Sequence, residues 1–296
     1  MKKALEQEVK SSKSRKILKI LFIILILIVI IFLYSRFIGT KGLLVKEYKI
    51  INDNFVDNFY GLKIVQISDL HYGDTTNEKD LKQIIEKINT LKPDIVFFTG
   101  DLYSNGLEEN AKNELITNLK DIKVSIKKYA IKGNHDDEAW DEVMKESNFV
   151  DLNNNIDVIY NNNASNILIT GINTNDDINE SIKKIDELLK PYNNEEESNV
   201  MLKFSYKILL LHEPDKILDF DYSNYDLILA GHSHNGQIRL PFIGALYTPD
   251  GSKKYYDEFY DLGNTKLYIS SGIGTSKLKL RLFNRPSINL YRLTNK

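Results

Sequence analysis

The stretch Leu62-Lys63-Ile64-Val65-Gln66-Ile67-Ser68-Asp69-Leu70-His71 sets the reading of the whole chain. Its first seven residues read as a buried strand, and the strand runs into Asp-x-His, two side chains able to hold a cation. In extended backbone, residues two apart point to the same side, so Asp69 and His71 are expected to face one point. The same arrangement recurs downstream. Asp94–Thr99 is a second strand followed by Gly100-Asp101, and Lys128–Lys132 is a third followed by Gly133-Asn134-His135-Asp136. Strands over 206–211 and 226–230 run into His212-Glu213-Pro214-Asp215 and Gly231-His232-Ser233-His234. Helices separate the first three strands: Leu81, Ile84, Ile85, Ile88 and Leu91 recur at helical spacing within 78–91, and a second helix is expected over 107–120. Strand-helix-strand repetition implies parallel pairing. Parallel strands deliver their C-terminal ends to one edge, where the following loops build a site. The glycines at 100, 133 and 231 are expected to let the chain turn sharply there. Another strand is expected at 166–171, the tail 255–293 reads mainly as β, and 189–204 reads as a surface insertion.

The chain has only 5 His, at 71, 135, 212, 232 and 234, and all fall in these loops. Cysteine is absent, which excludes disulfides, thiolate metal sites and a Cys nucleophile. Singly, each motif is weak, since a lone Asp-x-His is usually a turn and a lone Gly-Asp carries almost nothing. Together they converge Asp69, His71, Asp101, Asn134, His135, His212, His232 and His234. Nitrogen and oxygen donors of this kind suit divalent Mn, Fe or Zn. There are too many for one ion, and two ions sharing a carboxylate would use them all.

On these residues the chain resembles the calcineurin-like metallophosphoesterases, and most of all the membrane-associated, YkuE-like branch. The resemblance covers roughly 60–293 and includes Asn235-Gly236-Gln237 and Ser271-Gly272-Ile273-Gly274-Thr275-Ser276. It implies an α/β fold, a four-layered α/β/β/α sandwich with two central mixed sheets. It also implies that Asp69, His71 and His234 hold a first metal, Asn134, His212 and His232 a second, and Asp101 bridges them. His135 would be the catalytic group that acts on the phosphoryl oxygens or the leaving group. Many relatives have an Asp that orients this His where this chain has Ser104, so support for His135 is expected from elsewhere. The implied reaction is metal-dependent hydrolysis of a phosphodiester or pyrophosphate bond by water, without a covalent enzyme intermediate.

Outside this domain, one segment is decisive. No charge lies between Lys19 and Arg36, and a helix over 17–38 would be about 33 Å long, enough to cross a bilayer. Basic residues are heavier before it (Lys2, Lys3, Lys10, Lys13, Arg15, Lys16, Lys19) than after it (Arg36, Lys41, Lys46). That puts residues 1–16 in the cytoplasm and the rest outside, in a single-pass protein of the cell membrane. The rival, a cleaved signal peptide, finds a poor cleavage site in Ser35–Gly39. Residues 39–59 read as a linker, although Val45, Tyr48, Ile50 and Ile51 suit a first strand, and 60–296 as the catalytic domain.

An anchored pocket suits a phosphorylated lipid or envelope precursor as substrate, and the alternatives are a soluble diester or a non-catalytic metal-binding scaffold. A formal net charge of -2 gives no support to nucleic acid. Gln237 and Arg239 are candidate substrate contacts, with an ion pair as the other reading of Arg239. The alternation Lys277-Leu278-Lys279-Leu280-Arg281-Leu282 is expected to give a strand with one basic face.

Overall fold

The computed structural model describes residues 2–52, 59–104, 106–160, 166–193 and 204–294. It begins with one helix, α1 (Lys2–Phe37), whose segment Lys13–Phe37 is long and apolar enough to cross a bilayer. The rest alternates as the apolar runs dictate. First come β1 (Leu44–Ile51), β2 (Lys63–Ile67), α2 (Glu78–Leu91), β3 (Ile95–Thr99), α3 (Glu109–Lys120), β4 (Lys127–Ile131), α4 (Trp140–Glu146) and β5 (Val150–Asp151). Then follow β6 (Asn155–Ile159), β7 (Asn166–Gly171), α5 (Ile178–Asn193), β8 (Phe204–Leu210), β9 (Leu227–Ala230) and a short hairpin of β10 (Arg239–Leu240) and β11 (Gly244–Ala245). The last strands are β12 (Phe259–Leu262), β13 (Thr265–Ile269) and β14 (Ser287–Thr294).

Two mixed six-stranded sheets result, in the orders β1-β14-β2-β3-β4-β5 and β12-β13-β9-β8-β7-β6. The strands that lead into the histidine loops pair in parallel, β2 with β3 with β4, and β8 with β9. These central strands are largely buried on both faces, so each sheet needs two covers. Ile64, Phe97 and Tyr129 pack against Ile167, Ile208 and Leu229 between the sheets. Val65, Val96 and Phe98 face outward onto α2, α3 and α4 through Leu81, Leu115 and Val143. Leu209, Ile228 and Ile269 face the other way, toward Ile185 of α5. This is the four-layered α/β/β/α sandwich. Gln66 crosses its middle, donating to the Ala230 carbonyl of the opposite sheet (2.9 Å) and accepting from the Tyr291 hydroxyl (2.7 Å).

Three expectations change. The stretch 39–59 is not wholly a linker: β1 pairs in parallel with β14 along its length, with Ile50 buried and Ile51 exposed. Residues 277–282 are not a strand. The leucines there alternate with charges, but the charges do not share a face. Lys279 pairs with Asp74 at the surface (2.7 Å), while Arg281 is fully buried. Of the expected insertion, 189–193 belongs to α5 and 194–203 lies outside the described residues.

Candidate metal centre

Five loops meet at the strand ends, and their acids and imidazoles sort into two groups. Asp69, His71 and His234 form one; Asp101, His212 and His232 form the other. In each, the donor atoms lie within 4.8 Å of one another. In the first group His71 Nε2 is 3.3 Å from His234 Nε2, and the two rings stack with an 8° angle between planes. Asp101 touches both groups: its Oδ2 is 3.4 Å from His212 Nε2 and 3.8 Å from His71 Nε2.

The backbone achieves this differently from the sequence expectation. Asp69, His71, Asp101, His232 and His234 all have positive φ, between 47° and 66°. The Asp-x-His and His-x-His pairs therefore converge through left-handed loops, not through extended strands. Asp and His enter that region more readily than most residues, still at a cost of roughly 1–3 kcal/mol each. The glycines also act in another way. Gly100 does turn, at φ +90°, but Gly231 has ordinary φ and is needed for space: a Cβ there would lie 2.1 Å from Ser68 Oγ and 2.8 Å from Asp69 Oδ2.

Each inward-facing atom is set by what its other side bonds. Asp69 Oδ1 accepts from the His232 N–H (3.0 Å) and faces His234 Nε2 at 3.4 Å, and Asp101 Oδ1 accepts from the His135 N–H (3.0 Å), which leaves Asp101 Oδ2 for the centre. His212 Nδ1 meets the Thr99 carbonyl (2.7 Å) and His232 Nε2 the Asp250 carbonyl (2.6 Å). Those carbonyls accept an N–H, so the opposite ring nitrogen turns to the centre, His232 Nδ1 with its lone pair and His212 Nε2 once its proton is displaced, the usual arrangement behind a metal-binding imidazole. His71 Nδ1 meets Ser104 Oγ (2.8 Å). The residue standing where relatives have an Asp thus serves His71.

Sequence reasoning missed two supports. Asp136, the last residue of Gly-Asn-His-Asp, accepts from the backbone N–H groups of Asp101 (2.9 Å), Leu102 (2.8 Å) and Gly133 (2.8 Å). It fastens two loops together, and the motif itself was the signal. Arg281 lies beneath His234, with Nη2 3.2 Å from Nδ1, and donates to the carbonyls of Ser271 (2.8 Å) and Gly274 (2.6 Å). No local pattern marked it as buried.

His135 and Asn134 are exposed on the loop over Asp101. Gln237 holds the following loop: it donates to the Leu278 carbonyl (2.6 Å) and accepts from the Ser276 N–H (2.9 Å). Arg239 pairs with Asp257 (2.7 Å), the ion-pair reading of that residue.

Burial dominates the electrostatics. Burial pushes the Asp69 carboxyl up to about 7, against the pull of His212. Burial also acts to raise Asp101, but His212, then His71, outweigh it and hold this carboxyl below the usual range. Burial alone would lower His212; Asp101 reverses that and raises it to about 10. His71 and His232 are lowered to about 4, and His234 well below its ordinary value, chiefly by burial, with Arg281 adding to the effect on His234. Three neutral imidazoles thus surround two carboxylates and one proton-bearing ring. Asp69 Oδ2 and His212 Nε2 are buried without a hydrogen-bond partner. Unpaired buried polar atoms of opposite loops, among donors of this chemistry, fit divalent cations.

Comparison with known proteins agrees with this geometry. Residues 62–236 match the family described as calcineurin-like phosphoesterase. The uncharacterized metallophosphoesterase YkuE of Bacillus subtilis is 30% identical over 269 residues, spanning 88% of this chain and 88% of that protein. The UDP-2,3-diacylglucosamine pyrophosphatase LpxG of Chlamydia muridarum is 25% identical, over 79% of this chain and 84% of its own length. The phosphodiesterase YaeI of Escherichia coli is 27% identical, over 81% and 84%.

Proposed function

This chain belongs to the calcineurin-like phosphoesterase family and is a metallophosphoesterase, and from that premise we propose that it hydrolyses a phosphodiester or pyrophosphate bond of a phosphorylated lipid or envelope precursor at the outer face of the membrane. One observation carries the chemistry: two buried donor groups share Asp101 and leave Asp69 Oδ2 and His212 Nε2 unpaired. Asp69, His71 and His234 are assigned to one divalent ion, Asn134, His212 and His232 to the other, and Asp101 to both. Bound there, the two ions would lower the pKa of water and stabilise charge on the phosphoryl oxygens. Ser104 and the carbonyls of Thr99 and Asp250 hold the imidazoles in place. The His135 backbone bond to Asp101 puts an exposed imidazole at the mouth, where it can give a proton to the phosphoryl group or the leaving oxygen.

The membrane part rests on α1 and on the basic residues before it, which support a reading with residues 1–16 in the cytoplasm and the catalytic domain outside. A lipid-linked substrate draws support from LpxG, whose name specifies a diacylated sugar nucleotide. The test is hydrolysis of a chromogenic phosphodiester by the full chain, with Mn²⁺ supplied or chelated. Metal-dependent turnover is expected. Equal rates with and without chelator would end this reading.

A further inference from the structure

Beside the two donor groups lies a cavity of about 410 Å³. His232 and His234 form one end, and Ile238, Leu246, Tyr247 and Leu278 line the rest. The β10–β11 hairpin, with its turn Leu240-Pro241-Phe242-Ile243-Gly244, is the stretch of chain between two of those lining residues, Ile238 and Leu246. Phe242 is completely exposed (109%) and Ile243 nearly so (71%), with Leu246, Leu278 and Phe283 each more than half exposed. Phe242 also has φ 65°, an uncommon conformation for a bulky residue. A strained turn that holds apolar side chains out in water is unfavourable unless something apolar receives them.

The anchor indicates what receives them. The end of α1 is joined to the loop that supplies Leu278 to the cavity: the Arg281 N–H donates to the Ser35 carbonyl (3.0 Å), and Ser35 is buried. Gly39 lies so close that a Cβ there would be 2.0 Å from the Arg281 carbonyl oxygen. Residues 278–283 therefore sit where the membrane-crossing helix ends. The hairpin is tied to the same loop, by Gln237 to Leu278 and by the Arg239 N–H to the Leu282 carbonyl (3.0 Å). Anchor end, loop and hairpin form one connected body. Its surroundings suit a bilayer surface: Lys277 and Lys253 lie over the Tyr247 ring, 4.8 and 5.2 Å from its centre. Aromatic rings and lysines are characteristic of the headgroup level.

We propose that the 240–247 hairpin, with Leu278 and Phe283, enters the headgroup–acyl boundary of the leaflet reached by the end of α1, and that the cavity opens to that leaflet. Resting on the function proposed above, the cavity then receives the hydrocarbon-bearing part of the substrate, with its phosphate at His232 and His234.

The experiment uses the full chain in nanodiscs of phosphatidylcholine and phosphatidylglycerol, carrying Phe242→Trp. The native Trp140 is fully buried and is subtracted with the parent protein. Blue-shifted emission at 242, quenched by lipids brominated near the headgroup, is expected. Water-like emission would overturn the proposal. Blue-shifted emission without quenching would also overturn it, because a protein surface would then cover the hairpin. In the same discs, Phe242→Ser with Ile243→Ser should lower the ratio of rates on a long-chain lipid diester and a water-soluble diester about tenfold. An unchanged ratio would refute access through the hairpin. Quenching in the Phe242→Trp protein, together with a parent protein that hydrolyses neither diester, would uphold the docking surface and remove the proposed function.

Discussion

The two donor groups have similar ligands but different backing. Behind His212 and His232 stand the carbonyls of Thr99 and Asp250, which only accept hydrogen bonds. Behind His71 stands the Ser104 hydroxyl, which can donate or accept, and behind His234 a guanidinium, which only donates. The charge they carry differs too. His212 is raised to about 10 by Asp101, so the second group holds a proton near neutral pH. The first group's buried carboxyl, Asp69, titrates at about 7. Two sites built from the same residue types are thus set up to take a cation on different terms: one exchanges it for a proton, the other does so only below about pH 7.

The largest test of this comparison removes what the groups share. Asp101→Asn keeps an oxygen for the His135 N–H but replaces the charge between His71 and His212. Turnover of a chromogenic diester should fall at least about a thousandfold, roughly 4 kcal/mol of barrier, with an unchanged circular dichroism spectrum. Near-parental turnover in metal-replete protein would mean the groups act independently. Next comes metal removal. With free Mn²⁺ at about 100 times its Kd, each filled site should add about 2.7 kcal/mol of stability, and chelation should lower the melting temperature accordingly.

The pH dependence then separates the groups. A proton on His212 competes with the cation at any pH below about 10, so loading of the second group should strengthen about tenfold per unit between pH 7.5 and 8.5. Over the same range the first group should stay flat, since Asp69 has already ionised. Calorimetric titration of His212→Ala and His234→Ala proteins assigns the two events, and parallel pH slopes would erase the distinction. Ser104→Ala should weaken only the first group, about 10- to 100-fold in affinity. An equal loss at both would show that His71 is not held locally. Smallest of all, Arg239→Met, which removes the half-exposed pair with Asp257 and one hydrogen bond to the Asn235 carbonyl, should change KM by less than about twofold.

The parallel strands, their helices and the ligand loops were legible because all depend on short-range order, while the layering came with the family resemblance. A run such as Ile64–Ile67, buried on both faces, shows itself in any window of seven residues, and a catalytic loop that follows a parallel strand can be found by counting along the chain. The backing was not legible. Ser104 approaches His71 from the next loop, and Arg281 reaches His234 across 47 positions of chain. In sequence, Arg281 differs in no way from Lys277 and Lys279, and only the three-dimensional path of the irregular loop buries one and exposes the others. The left-handed ligands were hidden for a related reason. Alternation two apart suggests extended backbone, and the true φ values follow from strain that tertiary contacts impose.

The strand order has a consequence for the time at which this protein can become whole. β14 is the last described strand to leave the ribosome, yet it lies between β1 and β2, parallel to one and antiparallel to the other. Until it arrives, β1 has no neighbour in its sheet and β2 has an open edge, so translation runs far ahead of assembly. Contacts spanning so much chain form slowly and leave strand edges exposed meanwhile. Under the topology proposed above, in which the catalytic domain crosses the bilayer before it folds, that delay keeps the β1 side of the first sheet from closing on the wrong side.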